Sequence, residues 1–171
     1  VADGTARDLD VEIVLTVGTD CSTGKMTTTW SLLEAARRRG WDVAAVPTGQ
    51  TGVMVDGGGI VVDRTISDFT AGAVERMIEE RADHDYLFVE GQGSITHPAY
   101  SAVTCGILHG AMPDSLVLSH EAGRDAIRKY ESFPMPTPAE YVDLYESLAA
   151  PVHETEVVAG ALNTRSVEGE D

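Results

Sequence analysis

The tightest constraint on this chain is a junction close to its start. Val11-Glu12-Ile13-Val14-Leu15-Thr16-Val17 is a β-branched run that reads as a strand. Lys25 to Arg39 carries helical spacing through Trp30, Leu33 and Ala36, and Gly40 stops it. Between them lies Gly18-Thr19-Asp20-Cys21-Ser22-Thr23-Gly24-Lys25. A strand that turns directly into a helix aims the helix's first unpaired N–H groups into the turn, where they attract an anion. Glycine at both ends lets the backbone curl without a Cβ in the way, and Lys25 adds a movable ammonium. Gly18, Thr19, Asp20, Cys21, Ser22, Thr23, Gly24, Lys25, Met26 and Thr27 are therefore the candidate phosphate-binding residues, and Lys25 is also a candidate catalytic group.

The rest of the chain repeats that alternation. Val43 to Pro47, Tyr86 to Val89, Ser115 to Leu118 and Val157 to Leu162 read as short buried strands. Helical patterns run from Asp68, as a capping residue, through Ile78, from Val103 to His109, and from Thr137 or Pro138 through Leu148. Thr48 to Gly59 reads as a glycine-rich loop, and Pro134 to Pro138 as a stiff connector. Right-handed crossovers then give an α/β fold: a parallel β-sheet flanked by helices in three layers, with binding at the carboxyl ends of the strands. Residues 1–10 are expected to be a flexible lead-in, 11–165 the domain, and 166–171 a flexible tail.

Composition narrows the partners. The 171 residues carry 28 acidic and 12 basic side chains, a formal net charge of -16, so neither nucleic acid nor an anionic membrane is expected as a partner. Only Lys25 and Lys129 are lysines. Acid excess with scarce lysine predicts adaptation to high salt, which screens the self-repulsion; the alternative is an ordinary acidic cytosolic protein. The two cysteines, Cys21 and Cys105, have no metal-ligand spacing and read as reduced thiols. No apolar run is long enough to span a bilayer and no signal peptide is visible, so a cytoplasmic location is expected. The chain begins with Val1, which suggests that a further domain is missing.

Polar groups at the other strand ends supply the remaining candidates. Glu90 follows Val89 and could hold Mg²⁺ or act as a general base, with Asp63 as a second metal carboxylate. His97 and His120 follow strands and are candidate proton acceptors. Gln50, Thr51, Glu121 and Arg124 are candidate substrate contacts, and Asn163 follows the last strand, where it is either a turn residue or an amide able to pair with a base. Met26 stands where a Ser or Thr usually holds Mg²⁺, and a thioether is a poor ligand for that hard cation.

Two resemblances sharpen this. The loop has five residues between its glycines and begins Gly18-Thr19-Asp20, so it resembles dethiobiotin synthetase and its amide-forming relatives within the P-loop superfamily. That likeness implies a metal carboxylate at Glu90 and an adenine contact at Asn163. More specifically, the phosphate loop together with Pro47-Thr48-Gly49-Gln50-Thr51-Gly52, Ser67-Asp68-Phe69, Val89-Glu90-Gly91-Gln92-Gly93-Ser94, His97-Pro98-Ala99-Tyr100-Ser101, Leu108-His109-Gly110 and Ser119-His120-Glu121-Ala122-Gly123-Arg124 resembles the DgcN family, formerly a domain of unknown function (DUF1611). The resemblance implies that this chain is the C-terminal P-loop domain of a protein whose N-terminal Rossmann-like domain is absent here. It also implies an acetyl transfer from acetyl-CoA to D-glutamate. Three readings follow: a P-loop domain binding ATP or CoA within a D-glutamate N-acetyltransferase, a Mg-ATP-dependent ligase of dethiobiotin synthetase type, or a non-catalytic nucleotide-binding module. A small-molecule substrate and a homo-oligomer are expected.

Overall fold

The computed structural model describes residues 1–167. Its elements, in chain order, are β1 (Glu12–Gly18), α1 (Lys25–Arg38), β2 (Val43–Val46), α2 (Gln50–Asp56), α3 (Thr70–Glu79), β3 (Tyr86–Val89), α4 (Ser101–Ala111), β4 (Ser115–Glu121), β5 (Ala126–Ile127), β6 (Tyr130–Pro134), α5 (Pro138–Ala149) and β7 (Glu156–Asn163). Five strands form a parallel sheet in the order β2-β3-β1-β4-β7, while β5 and β6 form a separate antiparallel hairpin.

The layers follow from which face each apolar residue takes. On one side Ile13, Leu15, Leu87 and Leu116 pack with Val74 and Met77 of α3, Ile107 of α4 and Tyr141 and Tyr145 of α5. On the other, α1 alone lays Leu33 and Ala36 on Val43, Ala45 and Phe88. Burying each large apolar side chain contributes roughly 1.5–3 kcal/mol. This is the expected three-layer α/β arrangement, and β1 at its centre delivers the phosphate loop to the carboxyl edge of the sheet.

Several segments differ from the sequence reading. Residues 1–10 are docked: Ala6 is buried in the core, and Asp3 and Thr5 donate their N–H groups to the Glu75 carboxylate at 2.7 Å each. Burial raises the Glu75 carboxyl, but hydrogen bonds from the backbone of residues 3–6 outweigh it and hold the group below its usual range. The 48–59 loop contains α2. Asp68 does not cap α3; it lies in a 3-10 turn, Ser67–Phe69, ahead of it. The β5–β6 hairpin carries no local hydrophobic alternation to announce it. By contrast, α5 begins at Thr137 with a complete capping box, since Thr137 and Glu140 each accept the other's N–H. Residues 168–171 of the expected tail lie outside the described residues, whereas Ser166 hydrogen-bonds Glu121. No helix among the described residues is long and apolar enough to cross a membrane.

Candidate functional site

The loop between β1 and α1 is held by its carbonyls and by the Thr19 and Cys21 amides, and leaves its later amides open. Tyr145 Oη donates to the Gly18 carbonyl at 2.8 Å, Ser94 Oγ to that of Thr19 at 3.1 Å, and Thr23 Oγ1 to that of Asp20 at 3.3 Å. Burial drives the Tyr145 phenol well above its usual range, so it remains a donor. Ser22 and Gly24 adopt positive φ, 59° and 109°, which turns successive N–H groups inward. Among the described residues, the amides of Ser22, Thr23, Gly24, Lys25 and Met26 meet no protein acceptor. Lys25 folds back over this ring, buried, with Nζ donating to the Asp20 carbonyl at 2.8 Å. Burial lowers its ammonium to about 8, aided by Arg124 and opposed by Cys21, Asp20 and Glu90.

Asp20 belongs to the loop but does not face a phosphate. Its fully buried carboxylate accepts from the Cys21 amide at 2.6 Å, the Arg128 amide at 2.7 Å and Arg124 Nη1 at 3.0 Å. Arg124 also donates to the Cys21 carbonyl at 2.8 Å and pairs with Glu121. Arg124 and Glu121, candidate substrate contacts by sequence, therefore serve to tie the loop to the end of β4.

Glu90 is similarly engaged. Its buried Oε2 accepts from the Thr48 and Gly49 amides at 3.2 and 3.0 Å, directly before α2. It thus supplies, from a distant strand, the cap that Gly49 cannot. Gly52 is required there, because a Cβ would run into that carboxylate. Gly91 is required for the same kind of reason, its Cα lying against the Thr16 carbonyl.

The two candidate histidines separate. His97 is 2% exposed, between the rings of Tyr100 and Tyr130, and outside the cleft. Its Nδ1 accepts the Ala99 N–H at 3.1 Å, so its own hydrogen is on Nε2, which faces Asp20 at 3.9 Å. His120 is half-buried at the end of β4, with Nδ1 3.0 Å from Thr19 Oγ1; among the described residues its Nε2 has no partner. Gln50 and Thr51 are exposed on α2, and Asp63 is exposed on a 3-10 turn; none of the three lines the cleft.

That cleft measures about 390 Å³ and is lined by the loop from Cys21 to Thr27 together with Glu90, Gln92, Asn163 and Arg165. A second hollow of about 440 Å³ adjoins it beside Thr27, Asn163 and Arg165. A larger hollow, about 610 Å³ beside Asp114 and Glu146, gathers neither open amides nor a lysine. Asn163 Oδ1 accepts the Arg165 amide at 3.1 Å, which leaves its NH2 toward Gly24.

Among the described residues the donors fit a metal ion poorly. For Mg²⁺ the loop offers Met26 in place of a hydroxyl and Asp63 is elsewhere, which leaves Glu90, whose Oε2 takes two amides and whose Oε1 has no partner among the described residues, as the one carboxylate at the cleft. Asp20, Cys21 and His97 bring one ligand atom each within 4.8 Å of one another. However, the hydrogen on His97 Nε2 occupies the position a metal needs, and the Asp20 charge is already met by Arg124 and two amides.

A family model described as a domain of unknown function (DUF1611_C) P-loop domain matches residues 1–171. The chain belongs to the DUF1611 family. It is 40% identical over 157 residues to a D-glutamate N-acetyltransferase of Pseudoalteromonas sp., covering 90% of this chain and 47% of that protein. It is 36% identical over 172 residues to a D-glutamate N-acetyltransferase of Tritonibacter scottomollicae, covering 100% of this chain and 51% of that protein. It spans about half the length of these curated relatives. The crystal structure of a DUF1611 family protein from Anabaena variabilis superposes with a TM-score of 0.94 at 42% identity, over 98% of this chain and 50% of that one. Cobyrinic acid a,c-diamide synthase from Mycobacterium smegmatis shares the P-loop fold alone, with a TM-score of 0.59 at 10% identity over 89% of this chain and 74% of that one.

The sequence pointed to the loop, Lys25, Glu90 and Asn163 as cleft residues. It gave no role to Gln92, although that residue lies in the Val89 to Ser94 motif, nor to Arg165, which lacks any local motif, and it missed that Asp20 needs a cation. A carboxylate inside an anion-binding loop was the available signal, since such a charge must be neutralised to be buried.

Proposed function

We propose that this chain is the phosphate-binding half of an N-acetyltransferase that moves an acetyl group from acetyl-CoA to the amine of D-glutamate. The observation that supports it is a conjunction. Two relatives at 40% and 36% identity carry that name, and the cleft keeps its amide ring and lysine while Met26 stands in place of the hydroxyl that would hold Mg²⁺. A CoA phosphate needs the first pair and not the third. The open amides of residues 22–26 and Lys25 hold the phosphates, and Asn163 borders the hollow that takes the adenine.

In the transfer, the amine nitrogen bonds to the thioester carbonyl carbon, the C–S bond breaks, and CoA leaves as its thiol after a proton passes from nitrogen. His120 is the acceptor in this reading, although it does not line the cleft: in the tautomer that donates Nδ1–H to Thr19 Oγ1, Nε2 keeps a free lone pair. His97 Nε2 carries a hydrogen and is not free to do so, whereas Glu90, which borders the cleft with Oε1 unpartnered among the described residues, is the second candidate.

The test is a thiol-release assay on the full-length protein with acetyl-CoA and D-glutamate, run beside calorimetry with CoA and with ATP, each with and without Mg²⁺. Release without metal, and CoA binding in preference to ATP, is expected. Mg²⁺-dependent ATP turnover without thiol release would replace this reading with the ligase.

A further inference from the structure

The hairpin at the carboxyl edge of the sheet turns through only two residues, Arg128 and Lys129, between the paired Ile127 and Tyr130. Lys129 holds φ at 69°. Two-residue hairpin turns with positive φ favour Asn-Gly or glycine, and a long side chain there strains the backbone. Yet one of the chain's only two lysines occupies the position. A strained residue that glycine would relieve points to a use for the side chain.

Its setting agrees. The Arg128 amide donates to Asp20 Oδ2 at 2.7 Å, which fixes the turn against the phosphate loop. Burial raises the Cys21 thiol, while the charges of Lys25, Arg124 and Arg128 all pull it down, so these cations share one field. Among the described residues Arg128 and Lys129 pair with no carboxylate, a property they share with Arg37, Arg39, Arg64 and Arg165, but of these only Arg128 and Lys129 sit in a turn fixed to the loop through Asp20. In a chain of net charge -16, this exposed turn sets two adjacent cations beside an anion-binding loop. Phe133, exposed, and Tyr130, half-buried, stand beside the turn with ring centroids 6.1 Å apart, a surface for the apolar part of a ligand.

We propose that the Arg128–Lys129 turn is a second anion subsite, which takes a carboxylate or phosphate group of a ligand seated beside the phosphate loop. The choice of organic probes rests on the acetyl-transfer reading; the subsite itself does not.

The experiment compares unaltered full-length protein with Lys129→Gly, Arg128→Gln and the double variant, using D-glutamate, D-alanine, CoA, 3′-dephospho-CoA and inorganic phosphate in calorimetry. The double variant is expected to weaken one class of probe by about tenfold or more. A loss confined to D-glutamate identifies a side-chain carboxylate, a loss for CoA but not 3′-dephospho-CoA identifies the 3′-phosphate, and a loss for inorganic phosphate alone still supports the subsite. Lys129→Gly is expected to leave the melting temperature level or higher, since glycine relieves the positive φ, so that lost binding is not lost folding. Affinities unchanged within twofold for every probe would overturn the subsite. Weakened binding without any thiol release from acetyl-CoA keeps the subsite and removes the acetyl-transfer reading. Thiol release with unchanged affinities does the reverse.

Discussion

Two buried carboxylates flank the phosphate loop, and they are held in different ways. Asp20 is neutralised by the Arg124 guanidinium and two amides, within a network that reaches Glu121 and Ser166. Glu90 has no cation in direct contact and rests on the Thr48 and Gly49 amides. The first arrangement joins the loop to β4 and the hairpin. The second joins β3 to a helix of seven residues whose Met54 and Val55 are exposed. Removing a partner therefore has different reach in the two places: on the Asp20 side it leaves a buried charge, and on the Glu90 side it releases a short surface element.

The largest expected effect comes from breaking the first. Arg124→Ala leaves Asp20 and Glu121 buried without their cation, and loss of one partner of a buried pair costs about 3–5 kcal/mol. Denaturant unfolding is expected to show a global loss of that size, along with loss of phosphate-ligand binding. A loss under about 1 kcal/mol, as for an exposed pair, would mean that the network contributes little and that the contrast drawn here is wrong.

The second device gives a smaller and more local effect. Gly52→Ala drives a methyl into the Glu90 carboxylate and strips the cap from α2, at a cost of about 1–3 kcal/mol typical of a lost cap or buried hydrogen bond. Hydrogen exchange should localise the change to residues 48–59, with the β1 and β4 amides protected as before. Equal deprotection of β1 would show that Glu90 supports the whole sheet edge.

The same contrast marks what the sequence could disclose. β1, the loop and α1 were legible because strand, turn and helix are neighbours in sequence and each carries its own signal: a β-branched run, paired glycines, helical spacing. The capping box of Thr137 and Glu140 is equally local. α2 was not legible, because its N-terminus is capped by Glu90, some 40 residues downstream. Nor was the β5–β6 hairpin, whose anchor is the Arg128 amide on Asp20. The lead-in misled for the same reason: its polar residues are ordered by Glu75 on α3. In the site, the residue types were right and the division of labour was hidden, since a carboxylate that holds a loop and one that meets a ligand are identical in a string of letters.

Lys25 lies between the two carboxylates and provides the finest test. Asp20 and Glu90 both favour its charged form, yet burial outweighs them and brings it to about 8, below the 10.5 of a solvated lysine. From pH 8 to about 10 the unfolded chain therefore binds more protons at this residue than the folded one, so its contribution to stability rises with pH. Over the same interval the free protein loses the ammonium that a phosphate needs. Affinity for CoA is then expected to fall by up to about tenfold per pH unit, the limit for one coupled proton. Lys25→Met should flatten both slopes, leaving only those of other groups, such as the thiols and phenols, that titrate there. Glu90→Gln, which removes one favourable charge, should move the onset of the affinity loss to lower pH. If affinity in the unaltered protein stays level from pH 7 to 10, the ammonium plays no part in holding the ligand, and the open amides of residues 22–26 act alone.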